Sequence, residues 1–123
     1  MISALDIKNL FRETKEVGKT IKSSKKYYIW EFDLSNKLHK VEIFHSKLSG
    51  KKKLLLDGKV LTQTKSYSHE FTYSFKIDKH YFNVDYVGDK FDLRIDNKKF
   101  LAMLIEQNKN NKCENKGALA ITK

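Results

Sequence analysis

From Tyr27 onward the chain alternates apolar and polar residues with a period of two. In YYIWEFDL, residues Tyr28, Trp30, Phe32 and Leu34 fall on one face and Glu31 and Asp33 on the other, the pattern of a strand with one wet face. Ser35-Asn36-Lys37 reads as a turn. LHKVEIFH then sets Val41 and Ile43 against Lys40 and Glu42. KKKLLLDGK ends in Asp57-Gly58, which suits the two positive-φ positions of a type I′ turn, so residues 59–64 are expected to return antiparallel. Three further runs follow: Phe71, Tyr73, Phe75 and Ile77; Phe82, Val84 and Tyr86; Phe91, Leu93 and Ile95. Asp78-Lys79, Gly88-Asp89 and Asp96-Asn97 punctuate them. The spacing predicts a mainly all-β protein, an antiparallel sandwich or barrel of about seven to eight strands.

The two ends carry a different signal. Ser3 and Asp6 resemble a helix cap with an acidic first turn, and Ile7, Leu10, Phe11 and Val17 recur at helical spacing before Gly18. This predicts a short amphipathic helix over 3–16, followed by a polar, basic linker, KTIKSSKK. The run FLAMLIEQ is continuous in hydrophobicity, so strand and helix both fit; Ala102, Met103, Leu104 and Gln107 favour a short helix over 101–107. Beyond Asn108 the chain is rich in Asn and Lys and shows no core pattern. The expected organisation is a helix and basic linker over 1–26, a β-domain over 27–107 and a flexible tail over 108–123.

Composition narrows the class. The 123 residues suit one domain, no proline is present, and the lone Cys113 excludes an internal disulfide framework. No apolar run approaches the roughly 20 residues that span a bilayer. The N-terminus lacks a secretory pattern, and Ile2 stands where myristoylation needs glycine. A soluble protein of the reducing cytoplasm is the expectation. The net charge is +10, from 25 basic and 15 acidic residues, and the surplus sits mainly before residue 60. Such a balance favours acidic surfaces or polyanions, although only Arg12 and Arg94 are arginines, the residue type that reads phosphate bidentately.

No catalytic set stands out. His39 and His45 share a strand face, but a zinc site needs three or four convergent ligands, and the glycines do not frame a phosphate loop. A Ser46, His45 and Asp57 trio is the kind that any chain of this size offers. No catalytic, metal or cofactor residue is assigned. Tyr27, Tyr67 and Tyr81, off the main apolar stripe, are the aromatics expected at the surface.

One set of residues is more specific. Trp30-x-Phe32-x-Leu34-Ser35, His39-Lys40-Val41-Glu42, His45, Ser49-Gly50-Lys51-Lys52 and Asp57-Gly58-Lys59 resemble the repeat of the Fas apoptotic inhibitory molecule family. Phe75-Lys76-Ile77, the strand from Phe82 to Tyr86 and Leu93 to Lys99 resemble its later strands more loosely, and the likeness covers about 28–104. It implies an all-β sandwich with no known enzymatic activity that acts through protein–protein contacts, with links to death-receptor signalling and to protection against aggregation. Animal members carry two copies of the unit, whereas this chain has room for one and adds the expected N-terminal helix and basic linker. The expectation is therefore a non-enzymatic interaction module, an adaptor or a subunit of a larger assembly. Its protein partner, acidic or part of a multi-subunit complex, would be met by an exposed sheet edge, by Leu10, Phe11 and Val17 of the N-terminal helix, or by the basic turn with Lys47, Lys51, Lys52 and Lys53. The alternative is a basic β-domain that binds nucleic acid or anionic lipid through Lys22, Lys25, Lys26 and Lys51 to Lys53.

Overall fold

The computed structural model describes residues 7–68 and 70–109. Strands β1 (Ile7–Glu16), β2 (Lys25–Leu34), β3 (Lys37–Ser46), β4 (Lys51–Leu56) and β5 (Lys59–Lys65) form one antiparallel sheet in sequence order. Strands β6 (Thr72–Ile77), β7 (His80–Val87), β8 (Lys90–Ile95) and β9 (Lys98–Lys99) form a second. Helix α1 covers 100–109. The sheets are two separate meanders stacked face to face, a sandwich and not a barrel.

The turns follow from residues that tolerate positive φ. Ser35 and Asn36 take φ of 49° and 66°, Asp57 and Gly58 take 51° and 84°, and Asp96 and Asn97 take 50° and 71°. Each pair is a two-residue link whose twist matches the strands it joins. Gly50, at φ 75°, accepts from Ser66 N–H through its carbonyl, and a Cβ there would lie 2.8 Å from the Ser66 backbone.

The core is the alternation made solid. Tyr28, Trp30, Phe32 and Leu34 of β2 and Val41 and Ile43 of β3 face Phe82, Val84, Phe91, Leu93 and Ile95 across the sandwich. Phe32 stacks on Phe82 at 5.3 Å between ring centroids, and Phe75 continues the stack at 5.1 Å. Burying large side chains of this kind stabilises the fold by roughly 1.5–3 kcal/mol each.

One latch occurs in both sheets. In the first, the carboxylate of Asp57 accepts from Lys40 N–H at 2.7 Å and meets His39 Nδ1 at 2.7 Å, while Asp57 N–H donates to the Lys40 carbonyl. In the second, Asp96 accepts from Tyr81 N–H at 2.9 Å and meets His80 Nδ1 at 2.5 Å, and Asp96 N–H donates to the Tyr81 carbonyl. Burial raises the Asp96 carboxyl pKa, but the bonds from His80 and Tyr81 outweigh it and the net shift is downward. A histidine opening one strand thus ties down the aspartate that ends the next, once per sheet.

The N-terminal segment is a strand and not the expected helix. Residues 7–16 pair along β2, from Ile7 opposite Leu34 to Glu16 opposite Lys26. The register slips between Lys8 and Phe11, where Asn9 takes φ 56°. This bulge lets Ile7 and Leu10 both face the core, three residues apart, and turns Phe11 to the outer face. A bulged strand therefore imitates the i, i+3 spacing of a helix. The expected linker is also shorter than predicted, because β2 already begins at Lys25. Gly18 is no helix stop: the chain folds back so tightly that a Cβ there would sit 2.0 Å from the Ile21 carbonyl oxygen. Of the expected tail over 108–123, residues 108 and 109 belong to α1, while residues 110–123 with Cys113, like Ser3, Asp6 and His69, lie outside the described residues.

The helix expected over 101–107 is present. Phe100 is buried, and Met103 and Leu104 pack on the core. Gln107 reaches the bulge of β1, where its Oε1 accepts from Leu10 N–H at 2.7 Å and its Nε2 donates to the Leu10 carbonyl at 3.0 Å. Its amide takes the place that a neighbouring strand would hold.

Candidate binding face

The outer face of the five-stranded sheet points away from the core and carries an unbroken cross-strand row. Strand pairing aligns Lys15, Tyr27, Phe44, Lys53 and Gln63 on β1 through β5. Phe44 occupies a position at which the alternation of β3 calls for a polar residue, and it is 40% exposed. Tyr27 and Phe44 lie 4.7 Å apart between centroids, and the Lys53 ammonium sits 5.3 Å from the Phe44 ring centre, within reach of a cation–π contact. The Tyr27 hydroxyl donates to Glu42. Burial first, then the Glu42 carboxylate, holds the Tyr27 phenol above its ordinary pKa, so it stays a neutral donor.

Beside this row runs a shallow groove of about 220 Å³, lined by Val17, Lys25, Lys26, Phe44, His45, Ser46, Lys51, Lys53 and Gln63. Among the described residues no carboxylate pairs with Lys25, Lys26, Lys51 or Lys53. The groove is thus bordered by four lysines around one exposed aromatic ring, Lys25, Lys51 and Lys53 from the outer face and Lys26 from the inward row beside His45. It can attract an anionic partner and give it an apolar contact.

The structure divides the residues picked from the sequence. Lys51 and Lys53 join the groove, and Val17 forms one end of it. Phe11 is exposed on the same outer face, at β1. Leu10 belongs to the core and is only 7% exposed, so it is not a surface anchor. Lys52 alternates inward: it is 3% exposed and donates to the Ser66 carbonyl at 2.7 Å. Lys47 lies in the β3–β4 turn and pairs with Asp89 at 3.5 Å. Of the alternative basic set, Lys25 and Lys26 line the groove, while Lys22 sits in a 3₁₀ turn that buries none of its residues. Phe44 is the residue the sequence reading missed. Its signal was an aromatic out of phase with its own strand.

The expected surface tyrosines divide too. Tyr67 and Tyr81 are strongly exposed, whereas Tyr27 is partly covered and engaged with Glu42. Asp57 engages His39 and not His45. Among the described residues no three His, Cys, Asp or Glu side chains converge as a metal set would, and no helix is long and apolar enough to cross a membrane.

The profile of the Fas apoptotic inhibitory molecule family matches residues 27–115, most of the chain. Searches among curated proteins and among solved structures found no match. The match begins in β2, so β1 lies outside it although it completes the same sheet. The Trp30, His39 and Asp57 positions that carried the resemblance are the buried ring, the latch and the hairpin of one continuous sheet. Motif, fold and profile agree: the chain belongs to the Fas apoptotic inhibitory molecule family.

Proposed function

We propose that this protein is a non-enzymatic binding module of the intracellular, reducing environment, and that the outer face of its five-stranded sheet holds an acidic, extended segment of a protein partner. The observation that carries this reading is the groove whose four lysines have no carboxylate partner among the described residues, around the exposed ring of Phe44. Carboxylates of the partner would supply the missing counter-charges, and an apolar side chain would cover Phe44 and Val17. Lysine suits this task because its ammonium is a point charge that accepts many approach angles. Neither arginine of the chain lines the groove, which weighs against close reading of phosphates there.

The test is selection from a random peptide display library on the full chain. Acidic segments with an aromatic or aliphatic anchor should be enriched. Their affinity should fall at least tenfold in a Lys25→Glu/Lys51→Glu/Lys53→Glu variant and about fivefold to tenfold in Phe44→Ala, the cost of one well-packed anchor. Enrichment without acidic bias, or full affinity in the charge-reversed variant, overturns the reading. A nucleic-acid or anionic-lipid role would show instead as oligonucleotide or vesicle binding that outcompetes the peptides and falls steeply with salt.

A further inference from the structure

A second opening lies where the two sheets part, between the β3–β4 turn, the 66–68 connection and the β7–β8 turn. It encloses about 310 Å³ and is lined by His45, Lys47, Lys52, Tyr67, Tyr86 and Asp89. His45 borders the outer groove as well, but Lys52, which alternates inward on β4, lines this cleft and not the groove.

Two groups facing this cleft are incomplete in the same sense. Lys52 is 97% buried, and its ammonium donates only to neutral carbonyls, Ser66 at 2.7 Å and Ser68 at 3.4 Å. Among the described residues it has no carboxylate. A buried cation without a counter-ion carries a desolvation cost that carbonyl dipoles offset only in part. Burial accordingly pulls the Lys52 pKa down. His45 is 94% buried, its ring held edge-on by Tyr86 and Phe91 at 5.3 Å each, and among the described residues its Nδ1 has no hydrogen-bond partner. Orphaned buried nitrogens are rare in folded proteins, and each asks for an explanation.

The remaining charges near the opening leave the cleft positive. Asp89 meets Lys47 at 3.5 Å and accepts from the Tyr86 hydroxyl at 3.1 Å. One carboxylate thus balances Lys47 and leaves Lys52 without a counter-charge. A single oxyanion seated in the cleft would complete both groups at once. It would give Lys52 its counter-charge and accept a hydrogen bond from His45 Nδ1–H. The volume exceeds that of a bare ion and leaves room for a compact organic body against Tyr67 and Tyr86.

We propose that this inter-sheet cleft is a binding site for a small oxyanion, free phosphate or the phosphate or carboxylate of a compact molecule, held by Lys52, His45 and Lys47. The two openings meet at His45, but Lys52 and Lys47 line this one and not the outer groove, so the proposal does not rest on the outer-face reading.

The test titrates the full chain with sodium phosphate, and in a parallel arm with sodium acetate, against sodium chloride at matched ionic strength. The ring signals of His45 are followed by NMR and the melting temperature is followed alongside. Phosphate, acetate or both should shift the His45 ring signals saturably, and the better ligand tells a phosphate site from a carboxylate site. The better ligand should raise the melting temperature by about 2–4 °C more than chloride does. Lys52→Met removes the uncompensated charge at similar volume, so it should melt at or above the wild-type temperature and lose the ligand-specific increment. Lys47→Gln should weaken the ligand at least threefold, and Lys51→Gln on the outer face should leave it unchanged. If Lys52→Met does not fold, Lys47→Gln with the His45 signals still decides the matter. Shifts no larger than those from chloride, or equal ligand effects in wild type and both cleft variants, overturn the proposal.

Discussion

His39 and His45 sit on one strand, six residues apart in sequence and facing the same way, yet they occupy opposite situations. His39 is tied to Asp57 at 2.7 Å, while His45 Nδ1 is buried with no partner among the described residues. The difference lies in what the neighbouring elements bring. The hairpin after β4 delivers a carboxylate to His39. Around His45, by contrast, β2 brings Lys26, the β3–β4 turn brings Lys47 and β4 brings Lys52. β7 adds the Tyr86 ring, and Asp89 opposes the positive charge. Burial first, then Lys52 and Lys47, pushes the His45 pKa down to about 4. The unfolded imidazole titrates near its ordinary value, so between about pH 6.5 and 4 the unfolded chain binds the extra proton. Stability should therefore fall as pH drops through that window, by on the order of 3 kcal/mol for this group. Urea midpoints measured from pH 7 to 4 should show that loss in the wild type. His45→Phe, which keeps an aromatic ring against Tyr86 and Phe91, should show a shallower decline.

At the scale of elements, the edges of the first sheet are treated unequally. β5 is charged at both ends by Lys59 and Lys65, a common defence against strand addition. β1 is long, and its ladder is interrupted by the bulge at Asn9. There the Gln107 side chain of α1 satisfies both backbone groups of Leu10. Gln107→Ala should leave a partly buried N–H and C=O unpaired at about 1–3 kcal/mol. Amide exchange at Leu10 should accelerate correspondingly, whereas exchange in β7, far from α1 in sequence, should change only with global stability. The element also explains the misread helix. Periodicity counts residues along the chain, and a bulge adds one residue without adding a step of pleat.

At the scale of the molecule, two meanders with the same histidine–aspartate latch stack to form one core, and β1 completes the larger of them. The family match starts at residue 27, yet Ile7 and Leu10 belong to the buried cluster. A chain beginning at residue 17 should lose about 3–6 kcal/mol from those two side chains alone, a large share of a typical domain's 5–15 kcal/mol. A drop in the thermal midpoint of more than about 10 °C should follow; an unchanged midpoint would show that β1 is dispensable. The strands from β2 to β8, their inward faces and the Asp57-Gly58 hairpin were legible in the sequence, because alternation and turn propensity are local properties of successive residues. So was the family, through Trp30, His39 and Asp57 at fixed offsets. Only the folded chain separated Lys52 from Lys51 and Lys53, one residue apart yet on opposite faces of β4. Only folding brought Phe44 to Lys25 and Lys53, and set Lys52 and His45 side by side. Those relations depend on register between strands, and register is set by long-range burial that no local stretch of sequence contains.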